Sequence, residues 1–140
     1  MRKLTVGLLF VMMVTALGCS NRKEEKPQVL EKLDFSVVSD ECLPEELKTE
    51  IDKKKAQPFQ MTFMDDGFLY ICIGYGEQKS GGYSIQVNAC NRLKNAILVD
   101  TNLLGPKPKN TTRPKPKEEG KSYPYIVLKT KDINLPVIFE

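Results

Sequence analysis

Apolar and polar residues alternate along much of this chain, which is the pattern of half-buried β-strands. A tight turn is predicted at Asp65-Asp66-Gly67 and another at residues 91–95, because these residue types favour turns between strands. Seven short strands joined mostly by turns favour an antiparallel β-sandwich or a partly open barrel. The predicted strands cover residues 33–39, 59–63, 68–75, 83–88, 96–99, 123–129 and 136–139.

One segment, residues 39–55, breaks the alternation and predicts the single α-helix of a mainly β fold. Pro44 suits the first helical position, and the acidic residues that follow it favour the positive end of the helix dipole. Lys53, Lys54 and Lys55 favour the negative end. The apolar residues recur every four positions, so we expect the helix to cover one face of a sheet along a narrow stripe made of Leu43, Leu47 and Ile51.

The rest of the chain is organised around residues 70–87, where two strand-like runs flank a glycine-rich stretch with Gly76, Gly81 and Gly82. This pattern predicts a β-hairpin with a protruding loop. Consecutive glycines leave backbone amides reachable, and adjacent tyrosines are common anchors for a protein partner. The alternative is that the glycines serve loop geometry alone. The predicted partner-binding residues are Tyr75, Glu77, Gln78, Lys79, Ser80, Gly81, Gly82 and Tyr83.

The N-terminus has the pattern of an export signal. Two basic residues precede an apolar run at residues 4–17, which is short for a membrane span. Residues 16–19 resemble the lipobox of bacterial lipoproteins, although Ala16 stands where that pattern prefers Leu. The resemblance implies a signal peptide at residues 1–18 and lipidation of Cys19, with an ordinary secretory peptide as the alternative. Two acyl chains give stable anchoring, so we expect the protein on the outer face of the cell membrane.

Two further segments have compositions unlike the predicted strands. Residues 19–32 are mostly charged and predict a flexible tether to the β-domain at residues 33–140, unless the tether packs as a first strand. Residues 105–121 carry four prolines and six Lys or Arg against two Glu. Proline removes backbone donors from a sheet, so we expect an extended, solvated loop. Its alternative role is binding of anionic wall polymer or lipid headgroups.

Composition argues against catalysis. The 140-residue chain contains no His, so the usual general base near neutral pH and the commonest metal ligand are both missing. We therefore expect no enzymatic activity, no metal and no cofactor. The net charge is +3, of which Arg2 and Lys3 contribute two charges, so nothing favours nucleic acid as a partner. Asp65 and Asp66 are better explained as turn residues than as a catalytic pair.

Three cysteines remain after Cys19, namely Cys42, Cys72 and Cys90. An odd number allows at most one disulfide within the domain, and the sequence places no pair. Cys72 alternates with the large apolar residues beside it, so we expect its side chain on a wet face or in a second core. We predict buried, inert thiols.

Four motifs in the β-domain resemble the C-terminal domain of the PrcB family, whose founding type associates with a surface protease complex. The motifs are residues 74–87, Gly105-Pro106, residues 123–129 and residues 136–139. The resemblance implies an exported, non-catalytic lipoprotein that binds an exported protease or another envelope protein and stabilises the complex. We expect the domain itself to be monomeric. Residues 110–122 depart from the family pattern, being longer and basic.

A second likeness supports an alternative function. Gly82 and Tyr83 are similar to the Thr-Gly-Tyr loop of chagasin-type inhibitors of cysteine proteases, which are β-sandwiches. That likeness implies a protease inhibitor whose loop enters an active-site cleft without being cut. An enzyme remains a third hypothesis, which a deep pocket with converging carboxylates would support.

Overall fold

The computed structural model describes residues 25–107 and 120–140, and these form a sandwich of two four-stranded sheets with one helix. Neither sheet closes into a barrel. The structure therefore confirms a mainly β fold. In chain order the elements are β1 (Glu31–Lys32), β2 (Ser36–Val37), α1 (Glu45–Lys54), β3 (Pro58–Asp65), β4 (Phe68–Tyr75), β5 (Ser84–Arg92), β6 (Ile97–Leu104), β7 (Tyr125–Lys131) and β8 (Val137–Phe139).

The first sheet has the order β1-β5-β6-β8 and the second has the order β2-β7-β4-β3. All pairs are antiparallel except β6 and β8, which run parallel. The strand predicted over residues 33–39 is shorter than expected, since only Ser36 and Val37 pair with β7. Before it, Glu31 and Lys32 pair with the end of β5.

The main core lies between the two sheets. Alternate residues of the inner strands point into it and are shielded from water, which supplies the principal driving force for folding. Its buried members are Leu69, Ile71, Ile73, Cys90, Ile97, Val99, Ile126 and Leu128.

A second core lies between the second sheet and α1. Leu47 and Ile51 of α1 are buried there at the predicted spacing of four, in one cluster with Cys72 and Val127 of the sheet. Leu43 is buried in the same cluster but precedes the helix in an extended conformation, because the helix begins at Glu45, after Pro44, and is shorter than predicted. Strands β4 and β7 are thus covered on both faces, which explains the nearly continuous apolar run of β4 and the apolar first half of β7. Cys72 lies in this second core, one of the two positions that the sequence allowed.

The turn between β3 and β4 is confirmed as a two-residue hairpin turn. Asp66 and Gly67 both have positive φ angles, 49° and 76°. Positive φ at both central residues is the geometry of a type I′ turn. The two aspartates of this segment therefore belong to a turn. Residues 93–96 connect β5 to β6 as a second hairpin, as predicted, and the Leu93 amide donates to the Ala96 carbonyl.

The predicted hairpin of β4 and β5 is wrong. β4 belongs to the second sheet and β5 to the first, so the glycine-rich stretch crosses between sheets. The reason is that β4 already pairs on both sides, with β3 and β7, and has no free edge for β5. The connecting residues, 76–83, are enough to bridge the separation of about 10 Å between packed sheets.

Candidate functional site

The segment from Gly76 to Tyr83, here called the crossover loop, starts from a position that only glycine occupies without strain. Gly76 has a φ of +76°, and an added Cβ would lie 2.8 Å from Cδ of Pro58. The next residue, Glu77, donates its amide hydrogen to the Ala56 carbonyl at 3.3 Å. The base of the loop is therefore fastened to the chain that connects α1 to β3.

A second contact holds the first half of the loop. Residues 120–123, here called the strap, lead into β7 and lie against the loop. Gln78 and Ser122 exchange two backbone hydrogen bonds, at 2.8 and 3.1 Å, and form an isolated antiparallel bridge. The Ser122 hydroxyl also donates to the Ser80 carbonyl at 2.6 Å. These bonds give the loop a defined path without making it a strand.

Charged side chains reinforce the same contact. Lys121 Nζ lies 2.9 Å from Oε1 of Glu77, and the Tyr123 hydroxyl donates to Oε2 at 3.4 Å. The hydrogen bond from Lys121 lowers the pKa of Glu77, and the same bond raises the pKa of Lys121. Both groups are exposed, so the pair orients the strap more than it stabilises the fold.

The tip of the crossover loop is the accessible part. Gly82 is exposed with a φ of +84°, and nothing lies within 4 Å of a Cβ built on Gly81. Within the described residues, the amides of both glycines have no backbone hydrogen-bond partner. Tyr83 is half-buried and Lys79 is exposed. The tip thus combines two open amides, one cation and part of one aromatic surface.

Tyr75 lies away from this tip. Its side chain packs against the main core, and its hydroxyl forms a 2.7 Å hydrogen bond with Oγ1 of Thr101 on β6. Its amide donates to the Pro124 carbonyl just after the strap. Of the eight predicted contact residues, five lie at the tip, from Lys79 to Tyr83. Glu77 and Gln78 hold the base of the loop, and Tyr75 links the two sheets.

The loop and the N-terminal segment leave the first sheet at opposite ends. β5 begins at Ser84, directly after the loop, and ends at Arg92, where β1 pairs with it. An ion pair of 3.2 Å between Arg92 and Glu31 supports this pairing. Nine extended residues span about 30 Å. The predicted tether therefore approaches the domain at the end remote from the loop.

The basic proline-rich segment leaves and returns at the loop end. β6 ends at Leu104, which pairs with Ser84, and the strap lies on the loop itself. Residues 108–119 of this segment lie outside the described residues, as do the predicted signal peptide and Cys19. No helix within residues 25–107 and 120–140 has the length and apolar character needed to cross a membrane.

The three cysteines of the described chain are all free thiols. Cys72 and Cys90 are buried, as predicted, whereas Cys42 is exposed, so that part of the prediction is wrong. Cys42 ends a short 3-10 turn, Asp40–Cys42, whose side chains do not reach the core. Burial raises the pKa of Cys72 to about 12 and also raises that of Cys90. Within the described residues, no cluster of acidic or Cys side chains is arranged to hold a metal ion.

Sequence reasoning missed Thr101 and Ser122 as determinants of the loop. Both are polar residues in or beside strands, and their roles depend on contacts across 26 and 42 residues of chain. The only local signal is the polar run Asp100-Thr101-Asn102 inside an otherwise apolar strand. The pairing of the strap with the loop has no signature in either segment alone.

Part of this chain matches a known protein family. Residues 69–131 match the family model described as PrcB C-terminal. This segment is similar to the PrcB C-terminal domain. The family prediction is therefore confirmed, and the PrcB match runs from β4 to β7, so it includes the crossover loop and the strap. No curated protein and no solved structure gives a significant match to the chain.

Proposed function

We propose that this protein is a non-catalytic component that binds an exported protease, or another protein of the cell envelope, and stabilises it. The PrcB C-terminal match supports association with a protease complex. The lack of His supports a role in binding without chemistry. In this proposal the crossover loop makes the contact, through its glycine amides, Lys79 and Tyr83.

The observation that carries the proposal is the way the loop is held. The strap and Ala56 fasten Glu77 and Gln78, while the following residues through Tyr83 have an accessible surface. A contact segment that is already ordered loses little conformational entropy on binding, which increases affinity. Tyr side chains at such a segment are frequent anchors because they bury a large area with few rotatable bonds.

The position of the N-terminus supports the same proposal. We propose that Cys19 is lipidated and that residues 19–30 tether the domain to the outer face of the cell membrane. The tether meets the first sheet at Arg92, and the crossover loop enters it at Ser84. The loop would then face away from the bilayer, where a second envelope protein is within reach.

Binding is tested by in-cell crosslinking followed by recovery of the tagged full chain from detergent extract. We expect Tyr83→Ala to lose at least 90% of the recovered partner, or about tenfold in affinity, as for an interface anchor. Phe68→Ala is the matched control, because Phe68 is an exposed aromatic residue on the second sheet. Equal recovery by both variants and the wild type would remove the loop from the function.

The same recovered complex separates a stabilising component from an inhibitor. A stabilising component leaves a protease partner active and extends its lifetime, whereas a chagasin-like inhibitor abolishes its activity. Anchoring is tested separately by incorporation of labelled palmitate. We expect Cys19→Ser to abolish the label and to release the protein from the membrane fraction, and retention of either would contradict the anchor.

A further inference from the structure

The long edge of the second sheet has no strand paired with it among residues 25–107 and 120–140. β3 is its last strand and pairs with β4 alone among the described residues. It has eight residues, whereas the other three edge strands have two or three. Natural edges are usually blunted by charges, bulges or proline. Here residues 58–64 carry no charge, and Pro58 at the start is the one such device.

The backbone groups that face outward follow from the type I′ turn. In such a hairpin the residues that flank the turn, Asp65 and Phe68, form a hydrogen-bonded pair. Along the two strands, hydrogen-bonded pairs then alternate with pairs that have no hydrogen bond between them. The amides of Gln60, Thr62 and Met64 therefore point away from β4. The side chains of the same three residues are exposed.

Two clefts open along this edge on the face that looks toward the first sheet. One, of about 460 Å³, is lined by Pro58 and Gln60 with Tyr75 and Thr101. The other, of about 350 Å³, is lined by Thr62, Met64, Leu69 and Val137. The face is assigned by register, because Gln60 pairs with Ile73 and Met64 with Leu69, which both belong to the main core.

The spacing of the clefts matches an extended chain. Their centres on β3 are about four residues apart, which corresponds to about 13 Å at the rise of a β-strand. Side chains i and i+4 of a strand laid along β3 would point into the two clefts. Backbone hydrogen bonds and pockets for alternate side chains are the two components of recognition by strand addition.

We propose that the β3 edge and its two clefts bind an extended segment of a partner protein as a ninth, antiparallel strand. The segment carries small apolar side chains at positions i and i+4. Charge complementarity favours this direction, since Lys53 to Lys55 precede β3 and Asp65 and Asp66 end it, although Lys53 and Lys55 also pair with Glu50 and Asp52. A segment with a basic first residue and an acidic last residue is complementary to these charges. No residue of the crossover loop lines either cleft.

Residue-resolved amide hydrogen exchange on the full chain tests the proposal. The probe is the synthetic peptide Lys-Thr-Val-Thr-Ser-Thr-Val-Thr-Glu, which presents two valines on one face of a strand. We expect at least tenfold slower exchange at Gln60, Thr62 and Met64 when the peptide is in millimolar excess. Exchange at Phe59, Met61 and Phe63 stays unchanged, because β4 already binds those amides. The control peptide has its second valine moved one position, to the opposite face, and protects at least fivefold less.

Three outcomes would overturn the proposal. The first is no protection of the three amides at millimolar peptide. The second is protection without peptide that rises with protein concentration, which would assign the edge to a second copy of the chain. The third is protection without peptide that is independent of concentration, which would mean that another segment of the same chain covers the edge.

A pair of variants at one position provides an independent check. Thr62→Pro removes an outward amide, whereas Thr62→Val keeps it at an exposed position that suits a β-branched residue. Both variants change the same cleft-lining side chain, but only the proline variant lacks the amide, so we expect it to bind the peptide at least tenfold more weakly than the valine variant does. Affinity is measured at a temperature at which both variants are folded, as judged by thermal unfolding. Equal affinity of the two folded variants would contradict strand addition.

Discussion

The Tyr75 hydroxyl lies 2.7 Å from Oγ1 of Thr101 and joins the two sheets directly below the crossover loop. Tyr75 is the last residue of β4, and Thr101 lies in β6 of the opposite sheet and is 8% exposed. This bond ties the end of β4 to the opposite sheet at the point where the crossover loop begins.

Tyr75→Phe should remove this bond while keeping the ring in the core. The Thr101 hydroxyl would then be buried without its partner, which costs roughly 1–2 kcal/mol of unfolding free energy. Urea denaturation measures the change. The double variant Tyr75→Phe, Thr101→Val should cost less than the sum of the two single variants, since no polar group is left unpaired. Additive costs would show that the two hydroxyls do not interact.

The glycines of the crossover loop should differ in their tolerance of alanine. Gly76→Ala places a Cβ 2.8 Å from Pro58 at a φ of +76°. We expect this strain to cost about 1–3 kcal/mol of unfolding free energy. An alanine at Gly81 meets open space. Gly81→Ala should therefore change stability by less than about 0.5 kcal/mol. Thermal unfolding of the two variants makes the comparison, and equal losses would contradict the conformation of the loop described above.

The contact of strap and loop should weaken in acid. The hydrogen bond from Lys121 lowers the folded-state pKa of Glu77 below its ordinary value of 4.5, so the ionised pair stabilises the folded state above that pH. This contribution to stability is lost as the pH falls through the lowered pKa of Glu77. Titration of the Glu77 carboxyl by NMR should give a midpoint below 4.5. In Lys121→Met the midpoint should return toward the ordinary value, and an unchanged midpoint would contradict the ion pair.

Thiol reactivity should follow burial. Cys42 is exposed and should be alkylated by a maleimide in the folded protein, whereas Cys72 and Cys90 should react only on unfolding. Burial raises the pKa of Cys72 to about 12, so its reactive thiolate is scarce at neutral pH. Peptide mass spectrometry of the labelled chain, with and without denaturant, identifies the sites. Labelling of Cys72 in the native state would contradict the second core.

The stability of the second core should depend on α1. Leu47 is fully buried between the helix and the second sheet. Leu47→Ala should therefore lower the unfolding free energy by about 2–5 kcal/mol. Lys48, one residue further along the same helix, is exposed and provides the matched control. Lys48→Ala should change the unfolding free energy by less than about 0.5 kcal/mol. Guanidinium denaturation measures both, and similar losses would indicate that the helix is not docked by this stripe.

Local pattern alone predicted most of the elements. Leu47 and Ile51 recur at a helical spacing, and the structure buries both on α1, with Leu43 beside them just before the helix. Asp66 and Gly67 suit positive φ angles, so the turn between β3 and β4 was predictable as well. In each case the relevant atoms belong to residues close together in the chain, and their chemistry constrains the backbone directly.

Strand pairing and the form of the glycine-rich loop depended on the tertiary structure. Tyr75 and Ser84 bound a stretch with all the local features of a hairpin loop, yet they lie in different sheets. Alternation of apolar and polar residues shows which face of a strand is buried. It does not identify the neighbouring strand in the sheet, because any strand with an apolar face on the same side could pair there. β7 follows β4 by about fifty residues in the chain and takes the edge that β5 would have needed.

The sequence by itself determined the class of fold, the helix, its apolar stripe and the family of residues 69–131. Only the tertiary structure decided that the strap holds the crossover loop, that Tyr75 faces Thr101, and that β3 presents a long open edge. The physical reason is the separation along the chain between the residues that interact. Propensity and periodicity act over a few residues, whereas these contacts join segments brought together only when the two sheets pack.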